Sequence, residues 1–342
     1  MHTFFAHKCR WISLKIFLFV LLLLSPSLLA AQEATIVGTV TDPAGNMVPD
    51  ITITVTNVQA GAIRTLLTND VGQYVAPGLP IGKYDLKAES SAFSVLESKG
   101  VVLNVNDRVR IDFRMKLGTK KEIVVVESNA LAVQSDSSEQ SSLVSGQQIS
   151  ELSTNGRSIY TYMVLTTGAA NLMPDFQPPT SVGALAYASF NGNRPAHNLL
   201  LLDGGENHDC GAGGNSIIMP SIDAIAETQT LTSNYSADYG LSSGATISSA
   251  LKSGTKTFHF SLWEFFRNDA SDARNYFNAA PAPVAELRYN LYAGGPVIFG
   301  KRYNAKNSRT FFFYNMEWRK LIQGQTLNQP VPFPSMHPKP VI

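Results

Sequence analysis

Three strings in this chain carry residue types that could do chemistry. Gly240-Leu241-Ser242-Ser243-Gly244 has the G-x-S-x-G spacing of a serine-hydrolase nucleophile turn. That chemistry needs a strand, a strained turn holding the serine and then a helix. The following ATISSAL is strand-like and no Asp-then-His order with a plausible fold follows it, so these glycines read as turn residues. Ser249-Ala250-Leu251-Lys252 matches S-x-x-K, and Lys252-Ser253-Gly254 loosely matches the K-T-G of penicillin-binding enzymes. Those two elements must reach a pocket from separate parts of a fold, and sharing Lys252 rules that out. The third string gathers Glu206, His208, Asp209 and Cys210, with His197 and Asp203 nearby. Its donors suit zinc or another transition metal. Adjacent residues on one loop rarely converge on one ion, however, and the usual ligand spacing is absent. No catalytic residue, metal or cofactor is therefore expected, and the chain does not read as an enzyme.

The chain has 342 residues, enough for two or three domains. Its net charge is +1 and charged residues make up only 15%, so nothing electrostatic favours nucleic acid as a partner. At the N-terminus His7, Lys8 and Arg10 precede the apolar run IFLFVLLLL (16–24), which Ser25 and Pro26 break before SLLAAQ (27–32). This predicts a secretion signal over 1–31, since a membrane helix needs about 20 apolar residues. Removal of Cys9 with the signal would leave Cys210 alone and the mature chain without an internal disulfide.

Gly, Ser, Thr, Asn and β-branched residues are plentiful and helical periodicity is scarce, which predicts a mainly β fold. Over 33–118 seven extended runs follow one another: 35–42, 51–58, 63–69, 73–79, 83–90, 95–105 and 109–117. Ile51, Ile53 and Val55 alternate with Thr52, Thr54 and Thr56, the period of a half-buried strand. About seven strands in this length suit a β-sandwich. KKEIVVVES (120–128) reads as a short strand. Residues 130–255 are mixed, with short helical stretches in 145–169 and apolar positions at Val144, Ile149, Leu152, Ile159, Met163 and Leu165 that suit packing on a sheet.

After Thr255 the pattern changes. Phe258, Phe260 and Leu262 alternate with His259 and Ser261; Tyr289, Leu291 and Ala293 alternate with Arg288, Asn290 and Tyr292. Phe312, Tyr314, Met316 and Trp318 likewise alternate with Phe313, Asn315, Glu317 and Arg319. Apolar and aromatic on one face, polar on the other, is the pattern of transmembrane β-barrel strands of about 9–11 residues.

NGNRP (191–195), NLLLLDGGEN (198–207), NYSADYG (234–240), LKSGTKTFHFSLWEFFRND (251–269) and AGGP (293–296), in this order, resemble the plug and first barrel strands of TonB-dependent outer-membrane receptors of the Oar-like type. The stretch with GTVTDPAGNMVPDITITV and NDVGQYVAPGLPIGKYDL resembles a carboxypeptidase-regulatory-like domain, a module of transthyretin-like fold. The resemblance implies a periplasmic sandwich (33–118), a linker (119–129), an α+β plug (130–255) and the start of a barrel (256–342). It implies energised uptake of an extracellular solute across the outer membrane, driven by the periplasmic TonB protein. The family's Ton box would fall on Glu122, Ile123, Val124, Val125 and Val126; the same segment could instead open the plug. Plug loops of the family can face substrate, which makes Asp203, Glu206, His208 and Asp209 candidates for that surface. Family barrels have about 22 strands and only three or four are recognisable here. The chain is accordingly expected to be a truncated receptor that does not transport by itself. The competing reading is a secreted carbohydrate-binding or adhesion module built on the sandwich.

Overall fold

The computed structural model describes residues 34–118, 123–127, 137–152, 154, 157–172, 182–209, 211, 213–271, 273–274, 284–300, 303–304 and 310–323. The expected signal segment lies outside them, as do Glu122 and Cys210.

Two sheets face one another in the N-terminal part. In the first, β1 (Ala34–Thr41) lies between β4 (Gln73–Leu79), antiparallel, and β7 (Arg108–Arg110), parallel, and β8 (Phe113–Arg114) pairs with the far end of β1. The second sheet has the order β3 (Ile63–Leu67), β2 (Thr52–Asn57), β5 (Gly82–Glu89), β6 (Val95–Leu103) and β9 (Ile123–Glu127). Alternation sends Ile53 and Val55 inward, where they meet Ile36, Val40, Tyr74, Leu86, Leu103, Phe113 and Met115. Tyr74 and Tyr84 bury their rings in this core and donate their hydroxyls to the carbonyls of Ile111 (2.6 Å) and Pro80 (2.7 Å), so neither polar tip is stranded. Burial pushes both phenols up from their ordinary value.

The run predicted as one strand over 109–117 is split. Asp112 breaks it by accepting from the Thr39 amide (2.7 Å) and hydroxyl (2.8 Å), in place of ladder carbonyls. The Ile111 carbonyl then lies where a β-carbon on residue 38 would sit, and only glycine admits it.

A second core follows. Its five-stranded sheet has the order β10 (Gln140–Ser145), β18 (Ile225–Ser233), β19 (Thr246–Leu251), β14 (Leu199–Leu202) and β15 (Gly205–Glu206). Two small sheets flank it: β11 (Ala169–Asn171) with β13 (Ala188–Phe190), and β12 (Val182–Leu185) with β17 (Asn215–Ile218) and β16 (His208–Asp209). The helix α1 (Gly146–Glu151) starts at a capping box, with Ser145 and Gln148 satisfying each other's backbone amides. Ile149, Ile159, Tyr160, Tyr162, Met163, Phe190, Leu200, Ile222, Ile225 and Ile247 fill this core. The expected mixture of short helical turns and strands is present.

The last sheet is antiparallel: β20 (His259–Asn268), β21 (Val284–Pro296) and β22 (Phe311–Gln323), of 10, 13 and 13 residues. The chain is mainly β. Among the described residues this sheet has three strands and does not close into a barrel. No helix among them is long and apolar enough to cross a membrane, which says nothing of crossing by strands.

Candidate functional site

The faces of the last sheet divide by chemistry. Phe260, Leu262 and Phe266 on β20, and Phe312, Tyr314, Met316 and Trp318 on β22, are exposed; Phe260 is 80% exposed. The other face meets the second core; on β21 it is buried although polar, and on β20 the half-buried Trp263 and Phe265 share it. Arg288 is fully buried, ion-paired with Glu286 on its own strand and 3.5 Å from Glu317 on β22, which also binds Arg319. Such a network survives burial only because each charge meets a partner. Across the seam Asn290 donates to Ser221 (2.9 Å), and Arg157 stacks over Trp263 (4.2 Å to the ring) while pairing with Asp223 (2.8 Å). A soluble sheet would bury its apolar face and expose its polar one; this sheet does the opposite.

The seam continues at Lys252, whose ammonium lies 5.2 Å from the Tyr292 ring, and at Gly254, where a β-carbon would collide with the Phe312 backbone. Sequence reasoning placed the alternation correctly but missed Arg157, Asp223 and Ser221, which come from turns with no periodic signal.

The four loop candidates do different things. Asp203 sits at the β14–β15 turn with φ +48°, and its carboxylate accepts from the Leu251 amide (2.8 Å), so it fastens the turn to β19. Glu206 is exposed on β15, opposite Leu201. His208 and Asp209 form the half-buried β16, and Asp209 also accepts from the Gly211 amide (2.9 Å). Among the described residues no group of three His, Cys, Asp or Glu side chains could hold a metal ion. Ser242 donates its hydroxyl to the carbonyls of His197 (3.2 Å) and Ala245 (3.0 Å), the bonding of a turn.

Ile123, Val124, Val125 and Val126 form neither a free segment nor a strand of the second core. They pair in parallel with β6 at the edge of the sandwich, Val95 with Ile123 through Lys99 with Glu127. The sequence marks a strand here; its partner was not legible, because β6 shows its outer edge only once the sandwich is assembled.

The two cores also touch. Glu227 on β18 accepts from the Val105 amide, and Asn106 donates to Ser248 (3.0 Å) from a left-handed backbone, φ +59°. Burial, helped by Asp107, pushes the Glu227 carboxyl up to about 7, while the Val105 amide opposes the rise.

Residues 35–116 match the family described as carboxypeptidase regulatory-like domain, and residues 250–338 match that described as outer membrane beta barrel domain. The TonB-dependent transporter Oar of Myxococcus xanthus is 25% identical over 280 residues, covering 79% of this chain and 24% of that protein. The chain thus spans about a quarter of the length of this curated relative. Among solved structures, the siderophore receptor PirA of Acinetobacter baumannii is 16% identical with a TM-score of 0.38, over 52% of this chain and 24% of the receptor. PirA of Pseudomonas aeruginosa is 16% identical with a TM-score of 0.33, over 46% and 26%. In sequence and in its order of domains, the chain is similar to TonB-dependent outer-membrane transporters of the Oar type.

Proposed function

We propose that this chain provides the periplasmic sandwich (33–118), linker (119–129), plug (130–255) and first wall strands (256–342) of an outer-membrane receptor that takes up an extracellular solute. The observation that carries this reading is the inverted last sheet. Its exposed aromatic face suits lipid, and its buried charged face is held against a compact core by Arg157, Asp223 and Ser221. Glu206 on β15 and His208 and Asp209 on β16 form the surface offered to solute, with Asp203 fixing the β14–β15 turn. Work is done on the plug by a periplasmic TonB protein that captures Glu122–Val126 through backbone hydrogen bonds, by strand addition. No covalent bond is made or broken.

Two measurements test this. Cell fractionation should recover the protein with the outer membrane in a detergent-dependent form; recovery in the soluble periplasm would remove the receptor reading. Photo-crosslinking from position 125 should trap the TonB protein. Val124→Pro, which removes a ladder donor and fixes φ, should reduce the adduct at least tenfold, whereas Val124→Ala should change it less than twofold. Equal adducts from wild type and the proline variant would take the capture role away from this segment.

A further inference from the structure

Without β9, the five-stranded sheet of the sandwich would end on β6 and show a row of unpaired N–H and C=O groups. β9 covers that row from Val95 to Lys99 in unbroken parallel register. Successive residues of a strand send their backbone groups to alternate sides, so about half of those in β9 face β6 and the rest face away. Among the described residues no strand pairs on that outer side. Natural edges are blunted by proline, lysine or a bulge. Ile123-Val124-Val125-Val126 has none of these, whereas β3 at the opposite edge carries Arg64, bound to the Pro77 carbonyl. A free segment would also lose backbone entropy on becoming extended. Here the sandwich has already imposed that geometry.

We propose that the sandwich is a holder for the capture strand: it keeps Ile123–Glu127 extended along β6 with the outer edge presented, and the partner's strand adds there as the sixth strand of the sheet. The proposal rests on the reading of Glu122–Val126 as the capture segment and gives the sandwich a direct part in recognition. The occupant is an extended strand of a periplasmic protein, recognised mainly through its backbone.

The test uses the full chain in detergent, with Cys210→Ser, Glu97→Cys and Val125→Cys. Glu97 and Val125 are register partners. Parallel neighbours lie about 4.8 Å apart, within the roughly 4.4–6.8 Å Cα separation a disulfide accepts. The probe is the purified C-terminal domain of the same organism's TonB protein. The disulfide should form on oxidation, and the oxidised chain should bind the probe within twofold of the reduced chain. A tenfold loss on oxidation, recovered with dithiothreitol, would overturn the proposal, because capture would then require β9 to leave β6. Failure of the disulfide to form, with both thiols rapidly alkylated, would overturn it by removing the holder. If the disulfide forms but neither this variant nor wild type binds the probe, the capture reading has failed and the proposal falls with it. The disulfide yield separates that failure from loss of the holder.

Discussion

Glu227 joins two cores through one carboxyl, and its chemistry makes that junction depend on pH. Its pKa of about 7 in the folded chain lies above the ordinary 4.5, so folding favours the protonated form. The resulting stability is fully present below about 4.5 and is lost as the pH rises through 7. At about 1.4 kcal/mol per unit this amounts to at most roughly 3–4 kcal/mol. Amide exchange at Val105 and Asn106 should accelerate between pH 5 and pH 8, after correction for intrinsic exchange. Glu227→Gln, which keeps an acceptor without a charge, should flatten that dependence. Nothing in the sequence marks this residue, because its donor lies 122 positions away and belongs to another sheet. Arg157 escapes notice for a similar reason: one side chain meets Asp223 from a turn and Trp263 from a strand. Arg157→Ala leaves Asp223 half-buried without this cation and should cost about 2–4 kcal/mol, read as a lower temperature for release of the second core from the last sheet.

At the scale of elements, most of the sandwich was legible because β2 obeys period two, with Ile53 and Val55 inside and threonines outside. The break at Asp112 was not, since a carboxylate replacing a ladder carbonyl leaves the apolar pattern intact on both sides. β9 shows the other limit, because a β-branched run announces a strand without naming its neighbour. A fragment of residues 33–118 should unfold cooperatively with a β-type circular dichroism spectrum. Extension to residue 128 should raise its midpoint by covering the β6 edge. Equal midpoints for the two fragments would show that β9 adds no stability. Gly38→Ala should destabilise either fragment, because its β-carbon meets the Ile111 carbonyl.

At the scale of the molecule, the last sheet was the most legible part. Phe260, Leu262, Tyr314, Met316 and Trp318 are exposed and Arg288, Asn290 and Glu317 face inward, as the alternation assigns. Trp263 and Phe265 also face inward, and Glu264 is exposed. What the sequence left hidden is how that face docks on the second core, through Arg157, Asp223 and Ser221. An arginine at Trp318 or Phe260 faces lipid in this reading and should cost roughly 2–4 kcal/mol near the bilayer midplane. It should lower the folded, heat-modifiable fraction in the outer membrane. Asn315→Arg, on the opposite face, should disturb the seam to the second core without that membrane phenotype.

Between β19, which ends at Leu251, and β20, which begins at His259, only seven residues intervene, 252–258. Fully stretched they span about 25 Å, and their start is held by the bond from the Lys252 amide to the Ala224 carbonyl (2.7 Å). This is a short leash on the C-terminal end of the second core. At the other end β10 is an edge strand, joined to its sheet by the ladder to β18 alone. A pull arriving through residues 128–136 therefore meets one ladder that can unzip rung by rung, while the opposite end stays anchored to the wall. The core would yield from its first strand inward, and the link at 252–258 would limit how far its C-terminal end could move from the last sheet.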